Sequence, residues 1–316
     1  MKAKAGLTIK HPRPRAVMLS KRANVFYLER ARVLQEGERV VYLTDTGMDI
    51  EKLFNIPDKN TAFLMLGKGT SITDAAVRKL AESNVMVGFC GSGGSPLFGA
   101  LDLVFLPPQD EYRPTEHMQQ WMIQWMDEAK RLNIAKAFLR ERLEWTLERW
   151  DSLGVVIKDA VAGDFERAIV SGASTAELLA AEAVWAKRLY ALLARKHQLE
   201  FRRNEGKRLR DTPEAHINSL LDHGNYIAYG YAATALHGLG IPFALPVLHG
   251  KTRRGALVFD VADLIKDGLV MPLAFKHGGQ GSKDSAFRAE LIQTAQDLGV
   301  LDLLMGFIAS VSKNKL

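Results

Sequence analysis

His249 stands in a loop eleven residues ahead of Asp260, and Asp263 follows one helical turn later, in the stretch Leu248-His249-Gly250-Lys251-Thr252-Arg253-Arg254-Gly255-Ala256-Leu257-Val258-Phe259-Asp260-Val261-Ala262-Asp263. Acids at i and i+3 share one helix face, and the cations just upstream are suited to phosphate. Carboxylate, imidazole and guanidinium together are what a metal-dependent enzyme acting on nucleic acid needs. Oxygen ligands with a single imidazole suit Mg2+ or Mn2+ better than zinc, and leave positions for water and phosphate oxygens.

A third acid extends the set. Glu182 lies in an alanine-rich segment, and its neighbours three and four residues away are Leu178, Leu179, Trp185 and Ala186. A carboxylate on an apolar face costs several kcal/mol unless it is partnered. Its partner is an arginine, a lysine or a metal ion. Asp260 and Asp263 are open to a plainer reading as acids on a solvated helix surface. Leu257, Val258, Val261 and Leu264 bracket them, however, which places at least one at the edge of the core. His249, one of eight histidines, would by itself be read as structural.

The elements that must position these residues fall into two groups. Short runs rich in Val, Tyr and Phe (16–19, 25–28, 32–35, 40–43, 61–66 and 85–89) read as strands, with one amphipathic helix over 73–83. Gly91-Ser92-Gly93-Gly94-Ser95-Pro96 lacks the lysine of a phosphate-cradling loop and reads as a turn. Pro107-Pro108-Gln109-Asp110 ends the pattern. Beyond it Met118, Trp121, Met122 and Trp125 recur at helical spacing as core or subunit interface, and a charged amphipathic helix covers 135–150. Ser174 with Glu177 forms a capping box for a helix to about Arg195. Asp211 or Thr212 caps the next, with Pro213 at its first position, through Ala235. Two more helices cover 255–266 and 284–298. The expected fold class is α+β: a small β-rich domain over 1–108, then a larger all-α domain over 109–316.

Composition narrows the function. The 316 residues carry a net charge of +6 and a pI near 9.3, which favours an anionic partner such as nucleic acid. Cys90 is the only cysteine, which excludes an intrachain disulfide and a thiolate zinc site. Lys10, Pro12, Arg13, Pro14 and Arg15 interrupt any signal-peptide core. No apolar run reaches the roughly 20 residues of a membrane helix. A cytoplasmic protein without membrane association is expected. Arg202, Arg203, Lys207, Arg208 and Arg210, with Lys251, Arg253 and Arg254, form the expected DNA-binding track. Tyr226 and Tyr229 could stack on a frayed base, although core packing fits them better.

Taken jointly, the glutamate in an alanine-rich helix ending in Tyr190, the helix with Asn218 and Asn225-Tyr226, the Leu248-His249 pair and the arginine-to-DxxD segment resemble the CRISPR-associated spacer integrase. This is the Cas protein common to nearly all adaptation modules. The likeness spans essentially the whole chain, and 109–132 resembles the type I-F branch. It implies an N-terminal dimerisation domain and a C-terminal catalytic domain, hence a homodimer. It also implies that Glu182, His249 and Asp263 ligate Mg2+ or Mn2+, with Asp260 as an auxiliary acid orienting a water or a ligand. The implied reaction is spacer insertion, in which the 3′-hydroxyl of a duplex prespacer attacks the CRISPR repeat, together with metal-dependent endonuclease activity. The implied protein partner is the small ferredoxin-like Cas adaptation protein, fused in type I-F to the Cas helicase-nuclease. Two positions depart from the family pattern: Ala183 replaces a glycine and Ala256 a serine. Neither is a ligand, so the departures bear on local DNA contacts. A catalytically silent DNA-binding scaffold of the same complex and an unrelated metal-dependent nuclease are the competing readings.

Overall fold

The computed structural model describes residues 21–22, 24–44, 52–90, 115–204, 212–250 and 255–314. Strands occupy the first part and helices nearly all of the second, so the α+β class expected from the sequence holds. The strand expected over 16–19, the Gly91–Pro96 turn and the boundary at 107–110 lie outside the described residues.

Two sheets form the N-terminal part. In the first, β1 (Asn24–Leu28), β5 (Thr61–Leu66) and β7 (Met86–Phe89) run parallel with β5 in the middle. The second has the order β4 (Lys52–Ile56), β3 (Arg39–Thr44), β2 (Ala31–Glu36) and β6 (Ser71–Ile72). It is antiparallel except where β6 joins β2. The tight β2–β3 connection uses Gly37 at φ +58°, a left-handed conformation that glycine adopts without steric cost. Helix α1 (Asp74–Glu82) starts at Thr73, whose hydroxyl accepts from the Ala76 amide at 3.3 Å.

Every residue of β5 is buried, as expected for a central parallel strand covered on both faces. One face, with Leu64 and Leu66, joins Val33, Leu80 and Val87 in an N-terminal core. The other, with Phe63 and Met65, belongs to the helical core. The join is close: a Cβ built on Gly230 would lie 2.3 Å from the Phe63 ring. Strand β5 is thus the wall that the strand and helix parts share.

The helical part comprises α2 (Glu116–Trp125), α3 (Glu128–Ser152), α4 (Asp159–Ser171), α5 (Thr175–Lys196), α6 (Pro213–Gly238), α7 (Ala256–Ile265), α8 (Met271–Gly279), α9 (Asp284–Asp297) and α10 (Val300–Ser312). Helix α6 runs through its middle, packed against α7, α8, α9 and α10. Thr212 caps it through the Ala215 amide, with Pro213 in the first turn as expected. The helix expected over 255–266 is corrected at its end: α7 stops at Ile265, and the chain passes through a π-helical turn, Lys266–Val270, directly into α8. Strands β4 and β6 and helices α4, α8 and α10 are additional to the sequence reading. No single helix among the described residues is long and apolar enough to cross a membrane.

Candidate active site

Helix α5 presents Glu182. Its N-terminus is capped by Ser174 as expected, the hydroxyl accepting from the Glu177 amide at 3.3 Å, while the return bond of the box is shifted by one residue, the Glu177 carboxylate accepting from the Ala173 amide at 3.0 Å. Leu178, Trp185 and Leu189 anchor one face of α5 in the core. Glu182 lies at the margin of that face, with its side chain 15% exposed.

Asp263 and Asp260 come from α7, a helix buried along almost its whole length. Their roles separate sharply. Asp260 is 1% exposed and its carboxylate is consumed by the loop before it. Oδ2 accepts from the Val247 amide at 2.6 Å and the Leu248 amide at 3.1 Å, and Oδ1 from the His249 amide at 2.9 Å. Oδ1 also meets His249 Nδ1 at 2.7 Å. With the Nδ1 proton directed at Asp260, the neutral imidazole presents its Nε2 lone pair outward. That nitrogen lies 3.7 Å from Asp263 Oδ2.

Glu182, His249 and Asp263 therefore converge. One potential ligand atom from each lies within 4.8 Å of the others. The donor set, two carboxylates and one imidazole, suits a hard divalent cation, and the cluster is open enough for further ligands, since the His249 side chain is 30% exposed. Asp260 stands behind this group rather than in it.

Two cations brace the cluster from the protein side. Arg142 of α3 donates from Nη1 to Glu182 Oε1 at 2.5 Å. Its Nε and Nη2 form a fork on Asp267, at 2.6 and 3.0 Å. Lys266 meets Asp263 Oδ1 at 2.5 Å, reaches the Tyr229 hydroxyl at 3.3 Å and lies 4.5 Å from the centre of the Tyr229 ring. Burial alone would lower the Arg142 pKa. Asp267, then Glu182 and Asp263, outweigh it and hold the guanidinium charged. Burial likewise favours neutral Asp263, but Lys266, Arg142 and His249 keep its pKa below the ordinary value. For His249 burial also opposes the charged form. The hydrogen bond donated to Asp260 and the charges of Asp263, Asp260 and Glu182 prevail, and its pKa rises.

The sequence-expected residues divide as follows. Glu182, His249, Asp260 and Asp263 lie together. Arg202 is exposed and donates its backbone amide to Glu214 at 3.1 Å. Arg203 is half-buried, paired with Asp222 at 2.7 Å and bonded to Asn218 Oδ1 at 3.1 Å. Asn218 itself ties this segment to α6 by accepting from the Asn204 amide and donating to the Arg202 carbonyl. Lys207, Arg208, Arg210, Lys251, Arg253 and Arg254 lie outside the described residues. Tyr229 packs edge-on against Phe259 at 4.7 Å and against Tyr226 at 5.8 Å, consistent with core packing.

Arg142, Lys266 and Asp267 do not emerge from the sequence reading, and Tyr229 emerges there only as a core or stacking residue, not as a neighbour of Lys266. Arg142 carried a legible signal, a charged residue among Phe138, Leu139, Leu143 and Thr146 on a helix face that proves buried. Asp267 had none, because its direction depends on the π-helical turn.

By its fold the chain is a strand-first, helix-last α+β protein whose helical part gathers two carboxylates and an imidazole. Residues 27–290 match the family described as CRISPR associated protein Cas1. The CRISPR-associated endonuclease Cas1 of Pseudomonas aeruginosa (strain UCBPP-PA14) is 43% identical, with 95% of each chain covered. That of Pectobacterium atrosepticum (strain SCRI 1043) is 42% identical, with 94% of each covered. Among solved structures, a TtCas1–DNA complex aligns with a TM-score of 0.67 at 22% identity, covering 90% of both chains. A casposase bound to integration product aligns with a TM-score of 0.66 at 14% identity, covering 92% of this chain and 90% of that one. These two likenesses concern the fold. The chain belongs to the Cas1 family, and is thereby a CRISPR-associated nuclease of the endonuclease and integrase class.

The Asp260 geometry yields one expectation at once. Asp260→Asn keeps the shape but places an amide nitrogen where one oxygen accepted, so at least one loop contact is lost. Residues that touch a metal ligand rather than the ion typically contribute about 10–100-fold to metal affinity. A Mn2+ titration of this variant should show a loss in that range with the chain still folded by circular dichroism. Unchanged affinity would remove Asp260 from the site.

Proposed function

We propose that the chain is a divalent-cation-dependent DNA integrase and endonuclease that joins the 3′-hydroxyl of a short duplex to a CRISPR repeat by transesterification. Glu182, His249 and Asp263 are its cation ligands, for Mg2+ or Mn2+. The observation that carries this reading is their convergence within 4.8 Å, with His249 oriented by Asp260. The DNA-bound relative and the casposase bound to integration product, alike in fold, lend support. The substrates would be prespacer duplex and repeat DNA, and a homodimer working with the ferredoxin-like Cas adaptation partner remains the proposed assembly. Arg202 and Arg203, with Lys207, Arg208, Arg210, Lys251, Arg253 and Arg254, are the proposed phosphate contacts.

When bound, the divalent cation supplies Lewis-acid stabilisation of phosphoryl oxygens and orients the attacking oxygen. The remaining work falls to the chain. Asp260 fixes the imidazole in the tautomer that exposes Nε2. Arg142 and Lys266 each hold one carboxylate oxygen, so Glu182 and Asp263 stay directed, and Lys266 with Arg142 keeps Asp263 ionised. Positioning and charge stabilisation of this kind are the main resources for phosphoryl chemistry in a protected site. All four acid and imidazole residues are in place, which weighs against a silent scaffold.

A half-site integration assay on a labelled repeat duplex with Mg2+ tests the reading. Strand-transfer product is expected. Cleavage without joining would favour a plain nuclease, and binding without either a scaffold.

The proton on His249 sets the pH dependence. In the cation-free protein its raised pKa keeps the imidazole protonated to higher pH than an ordinary histidine, and ligation requires the neutral form. Cation affinity should therefore rise about tenfold per pH unit below that pKa and level off above it. The linkage to folding has the opposite sign: the stability contributed by protonated His249 is full below the ordinary value near 6.5 and is lost as pH rises through the raised one. Isothermal titration with Mn2+ across pH 5.5–8.5, about that value, reads the first effect. A flat profile would sink it.

A further inference from the structure

We propose that Arg142 and Asp267 form a positioning couple for the cation site, with Arg142 setting the Glu182 carboxylate and Asp267 setting Arg142. This rests on the reading of Glu182, His249 and Asp263 as ligands and deepens it.

Three features of the geometry assign the couple this task. First, Arg142 uses both edges of its guanidinium. The Nε and Nη2 edge is locked on Asp267, and the remaining Nη1 is delivered to one oxygen of Glu182. Because the group is planar and rigid, fixing one edge fixes the direction of the other. Secondly, Asp267 is itself held from several sides. The Trp185 indole nitrogen donates to its Oδ2 at 2.9 Å, and the Trp150 indole nitrogen donates to its backbone carbonyl at 2.8 Å. Asp267 is fully buried and Arg142 nearly so. Trp185 also belongs to α5, one turn from Glu182, so Asp267 fixes both Glu182's partner and Glu182's own helix.

Thirdly, the backbone is irregular where the couple requires it. The π-helical turn Lys266–Val270 follows α7 without a break, and such turns concentrate at functional sites. It allows two successive residues to serve one site: Lys266 reaches Asp263, and Asp267 reaches Arg142. The following Gly268 admits the Trp145 ring, which would lie 2.5 Å from a Cβ there. A buried ion pair kept for stability alone would be a weak choice, since apolar replacements often do as well. Placement of Glu182 accounts for the fork, the tryptophans and the π turn together.

The test uses the full chain with Mn2+ alone, followed by electron paramagnetic resonance, without DNA. Arg142→Lys retains the charge but cannot bridge Asp267 and Glu182 in a fixed plane. Asp267→Asn retains the shape and removes the anionic fork, and provides a milder second variant should the lysine variant fold poorly. Each should weaken Mn2+ binding by about 10–100-fold while thermal melting shows a folded protein at the assay temperature. In strand transfer the loss should fall on kcat at limiting Mn2+ and be partly restored by excess Mn2+, with KM for the duplex unchanged. If wild type binds Mn2+ and loses it on His249→Ala, yet both couple variants bind as wild type, the positioning role is overturned and the ligand reading stands. If wild type itself shows no Mn2+ binding that depends on His249, the ligand reading falls and the couple with it.

Discussion

His249→Ala should lower strand transfer by roughly a thousandfold or more while leaving duplex binding close to wild type. The expectation follows from what the substitution removes and what it leaves. Asp260 would still accept from the amides of Val247, Leu248 and His249, so the loop keeps its anchor and only the imidazole goes. Losing a ligand should exceed the roughly 10–100-fold typical of residues that merely touch one. Asp263→Ala should be at least as damaging to activity, but for a mixed reason. It also strands the Lys266 ammonium, whose pKa burial alone would lower and which Asp263, then Tyr229, hold above the ordinary value. The two variants should therefore diverge in thermal melting, with Asp263→Ala falling clearly below wild type and His249→Ala staying near it. Measuring transfer, filter binding and melting on both separates chemistry from folding. Retained transfer in both variants would remove the ligand assignment.

Much of this site was legible before its geometry. The i, i+3 acids and the glutamate on an apolar helix face followed from spacing and from the cost of burying charge, whereas His249 gained its role only in combination with them. The capping residues Ser174 and Thr212 gave the starts of α5 and α6 because a cap is a local contact written in adjacent residues. What escaped was whatever depends on distant partners. The sequence leaves the partner of Glu182 open among an arginine, a lysine and a metal ion; the structure supplies the arginine from 40 residues away and brings the Glu182 carboxylate within 4.8 Å of His249 and Asp263 ligand atoms. Asp260 and Asp263 look equivalent in sequence, and only the loop amides around Asp260 tell them apart. Helix α8 is hidden in sequence for a related reason: it follows Gly268 and carries Pro272 in its first turn, residue types that usually punctuate helices, and the chain stays helical only because the π turn includes the first and the start of α8 accommodates the second. Helices α4 and α10 begin without a side-chain cap, so no local contact marks their starts.

Asp267→Ala is the substitution expected to cost the most stability. It removes both acceptors of the Arg142 fork and the acceptor of the Trp185 indole in one step, leaving a buried guanidinium with Glu182 as its only named carboxylate within contact. Breaking a buried pair from one side typically costs about 3–5 kcal/mol, which at roughly 2–4 °C per kcal/mol lowers the melting temperature by about 10 °C. The double variant Arg142→Met with Asp267→Leu removes charge from both sides, and apolar replacement of a buried pair is often neutral. Its melting temperature should return part of the way to wild type, because Glu182 and the Trp185 indole still lose the partners named above. Its cation affinity should not, because nothing then holds Glu182 in place. That split, stability partly recovered and affinity still lost, is what a purely structural ion pair would not produce; recovery of both would reduce Arg142 and Asp267 to packing.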